Sequence, residues 1–156
     1  MNEANKLLKL LSTPFPKVEP IIRHGEPPTF MEITSDDEWA RQLSEQLSQL
    51  KKEKLNTFAI ITKTDEDAAI VYALLEEHTD LDLYLLEETT SIPKEKIVVV
   101  PSYLSKGLEF DAVFAVTYNE AYSANHEIDI KLLYVVMTRA LHRLFLMGKQ
   151  KRAFIL

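Results

Sequence analysis

Apolar and polar positions alternate along the chain in blocks, and the period of each block predicts an element. Leu7, Leu8, Leu10 and Leu11 suggest a short helix over residues 3–11. Pro14, Pro16 and Pro20 end it and force an extended connector, because proline lacks the N–H that a helix needs. A second punctuated loop, Arg23 to Pro28, leads into a predicted strand at Thr29–Ile33. Ser35 is a good helix cap, and Glu38 three residues later completes a capping-box pattern. Trp39, Leu43, Leu47 and Leu50 then recur at helical spacing to about Lys52.

Phe58–Thr62 is a compact apolar run suited to a buried strand. Thr64 with Asp67 repeats the cap signature and opens a helix to about His78. Strands are predicted at Leu83–Leu86, Ile97–Val100, Ala112–Val116 and Arg143–Met147. The run Ile97–Val100 is the strongest, with four β-branched residues in succession. Glu127 to about Arg139 reads as a helix with little polar face, hence mostly buried. Strands alternate with helices, and the strand runs are continuously apolar. A strand needs that when helices cover both faces of a parallel sheet. The expected fold is a three-layer α/β/α sandwich with a mostly parallel sheet. Ligands in such sheets sit outside the carboxyl ends of the strands. The loop after Val100 and the helix end at Arg139 are therefore expected there.

Composition narrows the chemistry. A chain of 156 residues is one domain's worth, large enough to bury a core without staples. It has no cysteine, which excludes disulfides, thiolate metal sites and cysteine nucleophiles. Its three glycines, Gly25, Gly107 and Gly148, are too few and too scattered for a Walker A loop or a dinucleotide fingerprint. The histidines, His24, His78, His126 and His142, have no metal-ligand spacing, and no metal site is expected. No apolar run is long enough for a membrane span, so a cytoplasmic protein without membrane contact is expected.

The net charge of -6 argues against a wholesale basic nucleic-acid binder. The charge is uneven, however: Lys131–Arg152 holds Lys131, Arg139, Arg143, Lys149, Lys151 and Arg152 without one acidic residue. This is either an incidental basic tail or a local anion-binding edge.

Two segments carry candidate chemistry. In Ser105-Lys106-Gly107-Leu108-Glu109-Phe110-Asp111, the glycine permits a sharp turn or close backbone approach beside a lysine and two carboxylates. By itself this could be a plain connecting loop. In Leu132-Leu133-Tyr134-Val135-Val136-Met137-Thr138-Arg139-Ala140, an arginine ends an apolar helix and needs an anionic partner. That partner could be an acidic neighbour or a ligand.

Together, in this order and on this scaffold, SKGLEFD and LLYVVMTRA resemble motifs V and VI of superfamily 1 DNA helicases of the UvrD/Rep type. Phe58–Thr64 resembles the strand before that family's R-T/S-N loop, with Lys63 where many members carry arginine. Arg23-x-Gly25-x-x-Pro28 resembles the segment after its YRS motif, and the details are most similar to the helicase IV/HelD branch. The resemblance implies the second RecA-like core domain of a P-loop NTPase, without its own Walker A. The domain would span residues 1–156, with 1–28 as lead-in helix and connector. The chain would be a C-terminal fragment of a larger ATP-dependent 3′→5′ DNA helicase or translocase. ATP and Mg2+ would be bound mainly by an N-terminal RecA-like domain acting in cis, and the fragment alone would be inactive. A further domain that can insert in such helicases would be lacking or reduced to residues 89–95.

The resemblance also implies roles for single residues. Arg139 matches the motif VI arginine finger, and Glu109 matches the glutamate that accepts a ribose hydroxyl. Gly107 and Lys106 would line the nucleotide, and Tyr134 would pack beneath the site. Tyr103 stands where many members have a histidine that touches single-stranded DNA. Lys63 and Thr64 are either phosphate contacts or a solvated, capped helix start. The alternative function is a non-enzymatic module of a HelD-like protein that binds RNA polymerase, which the acidic bulk of the chain would suit.

Overall fold

The computed structural model describes residues 27–87 and 97–155. The expected helix over 3–11, the prolines after it, the Arg23 segment and the 89–95 loop lie outside these residues.

Six strands form one sheet: β1 Thr29–Glu32, β2 Phe58–Thr62, β3 Leu83–Leu85, β4 Ile97–Pro101, β5 Phe110–Thr117 and β6 Ala140–Gly148. Their order is β1-β6-β5-β2-β4-β3, and every neighbouring pair is parallel. Every residue of β2 and β4 is buried, as their continuous apolar runs require. The edge strands β1 and β3 are short and partly exposed.

Helices α1 (Asp36–Lys52) and α2 (Asp65–His78) cover one face. There Trp39, Leu43, Leu47 and Leu50 of α1 pack with Val71 and Leu75 of α2 on Ile60, Phe114 and Phe145. Trp39 Nε1 also donates to Met147 Sδ at 3.3 Å. Helix α3 (Glu127–Met137) covers the other face through Ile130, Leu133, Val136 and Met137. Phe154 and Tyr122 complete that layer. The three-layer α/β/α expectation is met.

Ser35 and Thr64 cap as their positions predict, accepting from the N–H groups of Glu38 and Asp67 at 3.2 Å. The capping box at Ser35 is not reciprocal, because the Glu38 carboxylate turns to Arg41. Two strands run longer than their apolar runs suggest. β5 begins at Phe110 and β6 at Ala140, where an irregularity at Asp111 lets the ladder continue through partly exposed residues.

Candidate functional site: two rims of one sheet

In an all-parallel sheet each rim collects one kind of strand end. The amino-end rim holds Arg139, which directly precedes β6, and Glu109, which directly precedes β5. The register pairs Phe110 with Ala140, and Phe110 N donates to Arg139 O at 2.9 Å, so the two sites are adjacent. The carboxyl-end rim holds Lys63 and Thr64 after β2, Tyr103 after β4 and Tyr118 after β5. This corrects the expectation that Arg139 lies at the carboxyl-end rim. The helix before it descends from that rim and delivers the arginine to the opposite one.

The connection between the rims is the loop 102–109. It leaves β4 at the carboxyl end and enters β5 at the amino end, on the face that α3 covers. Leu104 and Leu108 pack into the same core cluster as α3. Ser102–Leu104 form a single 3-10 turn, and Ser105, fully buried, closes it by donating Oγ to Ser102 O at 2.7 Å. A second turn follows, with Leu108 N donating to Ser105 O at 3.0 Å. Gly107 sits inside it at φ 87°, in the left-handed region that favours glycine. A Cβ there would meet nothing within 4 Å, so backbone conformation rather than space calls for the glycine. Lys106, Gly107 and Glu109 are all exposed.

Arg139 is half-buried, and its guanidinium is fixed from two sides. Nε donates to Val135 O at 3.0 Å and Nη2 to Thr138 Oγ1 at 3.2 Å, both in the end of α3. Nη1 donates to Leu108 O at 3.2 Å, in the loop. Among the described residues no carboxylate forms an ion pair with it. Burial lowers its pKa from the usual arginine value, and the nearby charge of Glu109 works in the opposite direction. Guanidinium has five N–H donors, so three bonds leave it able to meet an anion with the rest. Tyr134 stands beside it, its phenol pKa raised by burial and lowered in part by Arg139. The arrangement suits an anion arriving from outside the domain at the amino-end rim, next to the exposed Glu109.

The carboxyl-end rim is different. Tyr103 is 55% exposed, and its hydroxyl donates to Asp65 Oδ2 at 3.2 Å. It borders a groove of about 420 Å³ between the start of α2 and the ends of β3 and β4, with Asp65, Ala69, Leu86 and Glu87 among its walls. Thr64 spends its hydroxyl on the cap of α2. Lys63 points inward. Its Nζ pairs with Asp129 Oδ2 at 2.8 Å, donates to Ala121 O at 3.1 Å, and lies 6.0 Å from the centre of the Tyr122 ring. Both charged side chains of the pair are largely buried, at 17% and 10% exposure.

Sequence reasoning missed Asp129. The signal was present: a carboxylate in the first turn of a helix read as having little polar face. It missed Asp67 likewise. That residue is 1% exposed and accepts from the N–H groups of Asn119 and Glu120 at 3.0 and 2.9 Å, pinning the loop after β5.

The basic C-terminal segment is not one edge. Lys131 lies on α3, Arg139 is at the amino-end rim, and Arg143 on β6 pairs with Glu53 at 3.1 Å. Lys149, Lys151 and Arg152 follow β6 at the carboxyl end, all exposed. Among the described residues, no group of three or more His, Asp or Glu side chains could hold a metal ion. No helix there is long and apolar enough to cross a membrane.

Residues 96–147 match the model of the UvrD-like helicase C-terminal domain family. That stretch contains β4, the loop 102–109, β5, α3 and Arg139, and so all of the amino-end site. The C-terminal domain of a possible DNA helicase from Lactobacillus plantarum WCFS1 matches with a TM-score of 0.64 and 26% identity, over 93% of this chain and 83% of that one. The C-terminal domain of the DEAD-box protein Dbp5 matches with a TM-score of 0.52 and 13% identity, over 82% of this chain and 79% of that one, a likeness of fold alone. No curated protein matches the chain. The family-level likeness is thus to helicase C-terminal domains of the UvrD-like kind; a HelD-like branch is not distinguished.

Proposed function

We propose that this chain is the second RecA-like half of an ATP-dependent DNA helicase or translocase motor. Its amino-end rim closes an ATP site whose phosphate loop belongs to a companion N-terminal RecA-like domain. The observation that carries this reading is Arg139: a half-buried guanidinium at a rim, held by neutral oxygens and without a carboxylate partner among the described residues. Neutral acceptors orient it and leave its charge for a ligand.

In that site Arg139 is the finger that meets charge developing on the transferred phosphoryl group. Glu109, exposed beside it, accepts a ribose hydroxyl, and the turn at Gly107 brings Lys106 and the main chain to the nucleotide. These residues fit a nucleotide. Mg2+ finds no ligand cluster among the described residues and would be held by the companion domain with the phosphates. Single-stranded DNA would run along the carboxyl-end rim, where Tyr103 offers an exposed ring for stacking and Thr64 a main chain for phosphate contact. The resemblance of SKGLEFD and LLYVVMTRA to UvrD/Rep-type motifs supports a 3′→5′ direction for the proposed motor.

The test is single-turnover ATP hydrolysis by this chain joined to its companion domain, with and without Arg139. Turnover per folded molecule that does not depend on Arg139 sinks the reading. A second reading draws on the acidic setting of Tyr103, beside Asp65 and Glu66, which suits a protein surface better than a phosphate backbone. In it the carboxyl-end rim binds a partner such as RNA polymerase. Capture of purified polymerase, lost in Tyr103→Ala, would favour it over unwinding.

A further inference from the structure

Lys63 and Arg139 sit at opposite rims, yet the same two segments are anchored at both. Lys63 holds the beginnings. Its carbonyl accepts from Ser102 Oγ at 2.8 Å, at the start of the loop 102–109. Its ammonium pairs with Asp129, in the first turn of α3. Arg139 holds the ends. It donates to Leu108 O near the end of that loop and to Val135 O in the last turn of α3.

We infer that Lys63 is a positioning residue for Arg139: the Lys63–Asp129 pair sets where α3 lies, and α3 sets where the guanidinium points. The inference rests on the reading that Arg139 is the working cation of the amino-end rim. The physics is that of a buried charge. The largely buried Asp129 carboxylate is met by the Lys63 ammonium at 2.8 Å and by Ser123 N, which donates to it at 3.0 Å. Without the ammonium, the carboxylate must reach water or another donor, and the first turn of α3 must move with it. That turn is also held by Ile130, 2% exposed in the core, and by the Glu127–Lys131 pair on its outer side, but the Lys63–Asp129 pair ties it to the end of β2. His126 makes no side-chain cap, and Ile128 is 71% exposed. A helix is stiff along its length, so movement at Asp129 is carried to Val135 and Thr138, which together hold Nε and Nη2. The same arrangement makes Lys63 a point where an anion at the carboxyl-end rim would act, by competing with Asp129 for the ammonium. A groove of about 550 Å³ lined by Lys63, Asn125, Glu127 and Asp129 leads to it.

The test reads the Arg139 Nε–H by nitrogen–proton NMR in the 156-residue chain, with the signal assigned by its loss in Arg139→Lys. Lys63→Met should shift that signal and speed its hydrogen exchange roughly tenfold, as expected for the loss of one charge-assisted bond. Amide protection in β5 and β6 should be unchanged. Lys63→Arg, which keeps the ion pair, should restore the signal. An unmoved Arg139 signal in Lys63→Met overturns the inference, as does a change that Lys63→Arg fails to reverse. Should Lys63→Met not fold, Asp129→Asn gives the same decision, because it keeps the side-chain shape and removes the charge. No nucleotide enters this measurement. A negative result removes the coupling and leaves the ATP reading standing. A motor indifferent to Arg139 removes the ATP reading and leaves the coupling measurable.

Discussion

The guanidinium of Arg139 donates to the carbonyl of Leu108 across a sequence separation of 31 residues. That bond joins the loop around Gly107 to the end of α3 at one rim of the sheet, both within the stretch 96–147 that matches the UvrD-like helicase C-terminal domain. It also explains why the arginine can be half-buried without an acidic partner. Two main-chain oxygens and a hydroxyl replace its lost water. They do so without neutralising it, since neutral acceptors stabilise a cation and leave its net charge intact.

Arg139→Ala in the assembled motor should lower kcat by roughly 10³–10⁵, with a much smaller change in nucleotide affinity, because a finger acts on charge present mainly in the transition state. Arg139→Lys should recover little, since a point charge does not reproduce the fork. The fold should survive at a cost of no more than about 2 kcal/mol, the groups released being neutral carbonyls and a hydroxyl. Thermal unfolding and single-turnover hydrolysis on one preparation check both halves. A strongly destabilised protein with near-normal turnover per folded molecule would assign Arg139 to structure.

The 156-residue chain alone should not hydrolyse ATP. Phosphoryl transfer depends on positioning by both halves of such a site, and three scattered glycines supply no phosphate loop. Phosphate release by the purified chain, abolished by Arg139→Ala, would contradict the split site.

Tyr122 is fully buried, and its hydroxyl has no hydrogen-bond partner among the described residues. Burial, with the charges of Asp129 and Asp67 adding to it, raises its pKa well above the ordinary phenol value. A raised folded-state pKa contributes stability that is complete below the unfolded value near 10 and is lost as pH rises above it. Tyr122 should therefore stay un-ionised in the native protein at alkaline pH, ionising only on unfolding, as followed by phenolate absorbance. Tyr122→Phe removes an unpaired buried hydroxyl. It should be neutral or stabilising by about 1 kcal/mol at neutral pH and should flatten the alkaline loss. A destabilisation larger than that would mean the hydroxyl has a partner.

Gly148 closes β6 where Thr117 closes β5, and a Cβ on it would stand 2.2 Å from Thr117 Oγ1. The nearest ring atom of Phe154 would be 3.2 Å away. Gly148→Ala should cost about 1–3 kcal/mol by overpacking. Thr117→Ala in the same chain should recover part of it, since it deletes the nearer obstacle. Denaturant unfolding of the two single variants and the double gives the coupling directly. Additive effects would show that the clash is not with Thr117.

The elements were legible because short-range physics decides them. Ser35 and Thr64 cap because a hydroxyl three residues before an N–H reaches it whatever the rest of the chain does. Phe58–Thr62 and Ile97–Val100 are strands because unbroken apolar runs of that length need cover on both faces. Even β5 and β6 were found by their apolar centres. Their starts were missed, since Phe110 and Ala140 pair ahead of an irregularity where Asp111 and His142 interrupt the apolar runs.

The sequence by itself determined the layered α/β architecture, the absence of a phosphate loop and the pairing of a glycine turn with a helix-ending arginine. It could not say at which rim the arginine stands or which partner a charged group takes. Those answers depend on residues far apart in the chain. Arg139 reaches the amino-end rim because β5 and β6 run parallel from Phe110 and Ala140. Lys63, which the sequence left open between a phosphate contact and a solvated helix start, turns inward to Asp129 across 66 residues. Burial makes donors necessary: Asp67 finds them in the N–H groups of Asn119 and Glu120, and Asp129 in Ser123 N and the Lys63 ammonium. Which cation reaches Asp129 is set by packing, not by spacing along the chain.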